Sequence, residues 1–195
     1  MTISKDNQAI IFHDDDLFRL CNNNDQIESL EYEVLKEMRL YDTDQYIPLL
    51  IELLELVDGQ IPLIIEIKKH QNIGILENIM VEYLQNYKGE YYICSFEKDI
   101  LFWFRKNCKS IKRGLIFEFE SKKLFKYNKI LFLYKYFKTK PDFISLDYKL
   151  YDTTSIYKFC KRKNLPIIFW TINSKELFFK FENKVDGLIF EKLKP

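Results

Sequence analysis

The chain has 195 residues, of which 47% are hydrophobic and 30% charged, so it can bury a core and is not a disordered chain. Lys plus Arg (30) balances Asp plus Glu (29), and a net charge of +1 excludes a strongly basic nucleic-acid binder. Aromatics reach 16% while Gly and Pro number only 5 each, which excludes collagen-like and Gly-rich repeats.

No apolar run approaches bilayer length. The N-terminal MTISKDNQAI lacks the apolar block of a signal peptide. Cys21, Cys94, Cys108 and Cys160 show no CxxC spacing and no histidines at metal spacing. The expectation is reduced thiols, no zinc site and a cytoplasmic location.

In chain order, Gln8–Phe12 reads as a short strand ending at His13 and the acidic turn Asp14-Asp15-Asp16. Leu17–Asp25 ends in the turn composition NNND. Ser29, then Leu30, Val34, Leu35, Met38 and Leu40, predicts an amphipathic helix with Ser29 as N-cap. Pro48 opens a second helix, Leu49–Val57, which stops at Asp58-Gly59. The chain then alternates. Strands are predicted at Ile61–Lys68, Tyr91–Phe96, Lys112–Glu118, Asp142–Leu146, Pro166–Ile172 and Asp186–Phe190. Helices are predicted at Ile73–Gln85, Lys98–Lys106, Lys122–Phe137, Thr154–Lys163 and Lys175–Phe181.

Such alternation demands a parallel sheet with covered faces, as an open doubly wound sheet or a (β/α) barrel. No GxGxxG or GxxxxGK[ST] follows a strand, so the simplest nucleotide-binding versions are excluded. Glu66, Lys68, Ser95, Glu118, Asp147, Thr171 and Asn173 sit at C-terminal strand ends, where a barrel concentrates its chemistry.

Five segments in this order carry a resemblance: KDNQAIIFHDDDLFRL, IPLLIELLELV, IPLIIEIKK, FWTIN and VDGLIF. Together they resemble the glycerophosphodiester phosphodiesterase family, TIM barrels of the phospholipase-C-like phosphodiesterases. The resemblance covers almost the whole chain, read as one domain, residues 1–195. It implies that His13 is the second of two histidines acting as general acid and base. It implies that Glu66 is a carboxylate ligand of a divalent cation, calcium or magnesium. Lys68 lies near the substrate phosphate, Trp170 lines the pocket mouth, and Ser95-Phe96 matches the family's strand-end pair.

The family pattern also has a strand ending in His-Arg-Gly and another carrying Glu-x-Asp, and neither occurs here. Phe190-Glu191 stands where Thr-Asp is usual. A closed TIM barrel takes ~250 residues, and two strands with one helix add on the order of 45. The expected fold is therefore α/β, a TIM (β/α) barrel lacking its first two strands and first helix. Its open edges, beside the strands at 61–68 and 186–190, invite homo-oligomerisation.

Each candidate has a plainer alternative. His13 is a catalytic base or a cap in an acidic loop. Glu66 is a metal ligand or the ion-pair partner of Lys68, two residues on along the same strand face. Asp147 faces a pocket or caps a helix, and Trp170 is pocket wall or core. His70 reads as a solvated loop residue. Residues 122–140 carry seven lysines and no acid among aromatics, either a solvated helix face or a peripheral membrane contact. The implied substrate is a glycerophosphodiester, hydrolysed to an alcohol and sn-glycerol 3-phosphate with a divalent cation. The rival is a non-catalytic binding or partner protein derived from the same barrel.

Overall fold

The structure is a computed structural model describing residues 1–41, 43–118 and 125–193. The chain divides into two compact units, Met1–Ile93 with Lys106–Ile111, and Cys94–Arg105 with Lys112–Pro195. The main sheet has six strands in strict sequence order: β3 (Leu63–Glu66), β4 (Tyr91–Ser95), β5 (Arg113–Phe117), β6 (Phe143–Asp147), β7 (Ile167–Ile172) and β8 (Gly187–Phe190). Helices separate successive strands, so the fold is α/β in the order of a TIM barrel, with six of its eight strands among the described residues.

In the first unit, β1 (Thr2–Ile3) and β2 (Ala9–Ile10) pair antiparallel. The turn between them closes when Ser4 Oγ donates to Asp6 and accepts from the Gln8 amide. Beyond it come α1 (Phe18–Cys21), a 3-10 turn at Ile27–Ser29, α2 (Tyr32–Lys36), α3 (Leu50–Val57) and α4 (Ile75–Leu84). Ile10, Phe12, Leu17, Ile27, Tyr32, Leu35 and Ile47 form the core beneath them. Helix α3 begins where Glu52 Oε2 accepts from the Leu49 amide at 2.7 Å, satisfying one orphan donor of the first turn.

The helix predicted from Ser29 to Leu40 is much shorter. Leu30 is extended, with φ −114° and ψ 145°, and breaks the pattern. Helix α2 is only five residues long. The Tyr32 amide at its start is capped by Asp6 Oδ1 at 2.9 Å, from 26 residues upstream. Ser29 Oγ instead donates to the Gln26 carbonyl.

The second unit holds α5 (Lys98–Asn107) for most of its length, then α6 (Phe125–Thr139), α7 (Leu150–Thr153), α8 (Ile156–Arg162) and α9 (Lys175–Phe181). Strands β5 to β8 are parallel, with Ile144 opposite Ile167 and Asp147 opposite Trp170. Every residue of β5 and β6 is buried, as predicted for strands covered on both faces. The first and last strands of the order differ: Ile64 of β3 is 45% exposed and Ile189 of β8 is 41% exposed. Two aspartates start strands by the same device. Asp142 Oδ2 accepts from the Arg113 amide and Asp186 Oδ2 from the Ile167 amide, both at 2.9 Å, which fixes the register at the N-terminal strand ends.

Candidate active site

Four of the strand-end polar residues sit where the sequence placed them. Glu66, Ser95 and Asp147 are the last residues of their strands, and Thr171 is one from the end of β7. Ser95 Oγ accepts from the Glu97 amide at 3.0 Å, and Asp147 Oδ1 from the Lys149 amide at 3.0 Å. Both side chains therefore shape the turn after their strand, which favours capping for Asp147.

The first unit brings three candidates to one cavity. His13, Glu66 and Lys68 line a space of about 340 Å³ together with Phe12, Leu20, Leu40 and Leu53. Lys68 Nζ lies 2.8 Å from Glu66 Oε1, so the ion pair expected from their shared strand face is formed. Glu66 Oε1 is enclosed and makes no aligned hydrogen bond, and charge attraction alone holds the contact.

His13 is exposed, with 69% of its side chain in solvent. Its Nδ1 lies 2.6 Å from Asp14 Oδ1. A carboxylate only accepts, so Nδ1 carries the proton and Nε2 is left as the basic nitrogen. Asp14 is itself clamped: Arg19 Nε donates to Oδ2 at 2.6 Å and Nη2 to Oδ1 at 2.8 Å. Arg19 in turn donates to the Tyr41 hydroxyl. The guanidinium hydrogen bond is the main reason the Asp14 carboxyl is held down at about 2, with the His13 contact adding to it. A depressed carboxyl stabilises the fold above its unfolded value, ~3.9, and that contribution is lost as pH falls toward 2. Arg19→Met is expected to return Asp14 toward the ordinary carboxylate range and to loosen His13, as read by carboxyl and imidazole NMR titration. An unmoved Asp14 would show that Arg19 is not its clamp.

Trp170 belongs to the second unit. Its ring meets Phe96 edge-on at 5.7 Å, and its Nε1 is buried without a hydrogen-bond partner. The indole N–H is thus enclosed within the second unit and packs beside Phe96.

Glu66 alone does not fit a hard divalent cation. Such ions take several oxygen ligands, yet here one carboxylate already faces an ammonium. Among the described residues, no group of three or more His, Cys, Asp or Glu is arranged to hold a metal.

Sequence reasoning misplaced His70. It is buried, with neither its side chain nor that of Glu77 reached by solvent. Its ring lies 3.2 Å from Glu77 and 3.0 Å from the Lys68 carbonyl. The overlooked signal was Gly74-x-x-Glu77. Gly74 takes φ 112° at the start of α4, and its amide donates to Glu77 Oε2 at 2.5 Å. That cap turns Glu77 inward beneath the loop.

Comparison with known proteins follows the same line. A profile of the Glycerophosphoryl diester phosphodiesterase family matches residues 1–194. Among curated proteins nothing matches. A glycerophosphodiester phosphodiesterase from Parabacteroides distasonis is similar in structure, with TM-score 0.77 and 20% identity over 96% of this chain and 76% of its own. An Oleispira antarctica phosphodiesterase, solved with its product sn-glycerol-3-phosphate, has TM-score 0.83 and 19% identity over 97% of this chain and 78% of its own. A Thermotoga maritima glycerophosphodiester phosphodiesterase has TM-score 0.73 and 24% identity over 96% and 77%.

Proposed function

The chain belongs to the glycerophosphoryl diester phosphodiesterase family, and from that membership we propose that it takes a glycerophosphodiester as substrate. Residues 1–195 act in this reading as one phosphodiesterase-like domain. The reaction of such a substrate adds water across a P–O bond, releasing an alcohol and sn-glycerol 3-phosphate, and residues 1–195 carry only part of the catalytic set it needs. The observation that carries the proposal is the single cavity lined by His13, Glu66 and Lys68.

Their chemistry divides naturally. The Lys68 ammonium offsets negative charge on the non-bridging phosphate oxygens. His13, its Nδ1–H held by Asp14, offers Nε2 to take or return the proton that moves with the breaking ester bond. A divalent cation would add charge stabilisation at the phosphate. Glu66 would be one of its ligands, in a set that the described residues do not complete.

Lys68→Met tests the assignment, because it removes the charge and keeps much of the stem. The variant is expected to bind glycerophosphocholine at least ~tenfold more weakly in calorimetry, the scale of one charge-assisted hydrogen bond, while its melting temperature moves little. Unchanged binding with a large loss of thermal stability would make the Glu66–Lys68 pair purely structural.

A second contact concerns α6. Of the 122–140 stretch, residues 122–124 lie outside the described residues. Tyr127, Ile130, Tyr134 and Phe137, at spacings of three and four, are each more than half exposed, while Asn128, Phe132 and Thr139 are buried. Lys129 and Lys140 are also exposed. We propose that this aromatic and basic stripe meets an anionic membrane surface. No helix among the described residues is long and apolar enough to cross one. Ile130→Asp with Phe137→Asp is expected to abolish co-sedimentation with vesicles containing phosphatidylserine. Equal retention of wild type and variant would refute the contact.

A further inference from the structure

The loop after β3 carries a buried pair of titratable side chains that the proposed chemistry does not use. His70 is hydrogen-bonded at one ring nitrogen and faces a charge partner at the other. Nδ1 lies 3.0 Å from the Lys68 carbonyl and Nε2 lies 3.2 Å from Glu77 Oε1. Both partners are acceptors, and a neutral imidazole has only one N–H to offer. The Nε2–Oε1 approach is not aligned as a hydrogen bond, yet no solvent reaches either side chain. A bare imidazole lone pair set against a buried carboxylate is unfavourable, so the contact favours a proton on the pair.

Glu77 is held by its other oxygen, Oε2, which accepts from the Gly74 amide at the start of α4. His70 thus joins the helix start to the backbone of Lys68. Other charges surround the pair. Glu28 accepts from the Gln71 amide at 3.2 Å, and Asp15, Glu28 and Lys69 line a polar cavity of about 270 Å³ with His70.

From this geometry we infer that His70 and Glu77 form a proton-dependent latch that positions Lys68 for the substrate phosphate, so that deprotonation weakens diester binding. His70 is a positioning residue here, acting through the Lys68 backbone and touching no substrate. The inference rests on the substrate role proposed for Lys68.

The direction of the pH effect follows from the surroundings. Burial lowers the histidine's affinity for its proton, but the close Glu77 carboxylate, the Lys68 carbonyl and the charge of Glu28 outweigh it, and its pKa is raised. A raised histidine contributes its full stabilisation below its unfolded value of ~6.5. That contribution disappears as pH climbs through the higher folded value.

The test measures glycerophosphocholine binding by calorimetry at about pH 6 and about pH 9, on either side of the histidine range. A phosphodiester does not itself titrate there. The chain has 2 histidines, so the series is built on His13→Gln, leaving His70 as the single imidazole. The parent is expected to bind about tenfold more weakly at the higher pH, one lost charge-assisted contact. Adding His70→Gln should give the weak value at both pH values. Glu77→Gln should do the same, and it keeps an amide oxygen for Gly74, so it decides the matter if His70→Gln fails to fold. Retention of tight binding and the full pH step by both variants, with Lys68→Met abolishing binding, overturns the latch and leaves the substrate role standing. If Lys68→Met binds like its parent, the substrate role falls and the latch's purpose falls with it.

Discussion

Residues 1–195 are expected to release glycerol 3-phosphate from glycerophosphocholine at close to the background rate, with calcium, with magnesium or with EDTA alike. The catalytic set on this stretch is thin. The resemblance calls for two histidines and three metal carboxylates, and His13 and Glu66 are the members that match. The other histidine, His70, is enclosed against Glu77 and serves the loop. Glu66 faces Lys68 at 2.8 Å, and a lone paired carboxylate is a poor ligand set for a hard cation. Lack of a general acid or base costs ~10²–10⁴-fold, and lack of the cation several kcal/mol more of charge stabilisation, as a rough figure. A chain extended at its N-terminus by a segment carrying His-Arg-Gly and Glu-x-Asp is expected to show metal-dependent turnover, and His13→Ala should remove it. Vigorous, EDTA-sensitive turnover by residues 1–195 would mean that the essential groups lie elsewhere on this stretch. An inert extended chain, with several head groups tried, would favour a binding protein built on the same barrel.

The parts of the molecule legible in the sequence are those governed by local patterns. The runs GLIF, FISL and IIFW became β5, β6 and β7 to within a residue or two, because continuous apolar strands have no other stable home than a covered sheet. The helix predicted at Lys175–Phe181 is α9, and Ser174 ahead of it accepts from the Leu177 amide, a local signal that the prediction leaves unused. The failures share one cause, a partner distant in the chain. Ser29 looked like an N-cap, but α2 takes its cap from Asp6. His70 looked solvated, because nothing in KKHQN shows that Glu77 will fold beneath it. At the site, the Glu66–Lys68 pair was readable from strand periodicity. The Arg19–Asp14–His13 chain needed the turn that brings residue 19 back over residue 14.

Phe169→Ala is expected to destabilise the chain by about 3–5 kcal/mol, the usual cost of emptying a buried aromatic site, out of a total of only about 5–15. Phe169 is wholly enclosed on β7, in the core shared by Leu146, Leu150, Ile156, Cys160 and Phe181. It meets Phe181 edge-to-face at 5.1 Å, Tyr157 at 5.9 Å and Tyr151 at 6.0 Å. Those rings come from α9, α8 and α7, so one side chain ties three helices to the strand. Aromatic pairs add about 0.5–1.5 kcal/mol each beyond burial, and stiff neighbouring rings do not collapse readily into the space. Phe169→Leu keeps most of the volume and should cost less than half as much. The next residue is Trp170, whose ring meets Phe96 edge-on at 5.7 Å, so the disturbance should reach that contact too. Urea titration with tryptophan fluorescence and far-ultraviolet circular dichroism measures the stability. A loss below about 1 kcal/mol for Phe169→Ala, the level of an ordinary surface-to-core average, would mean that the aromatic cluster is loosely packed and that β7 is held by its hydrogen-bond ladder instead.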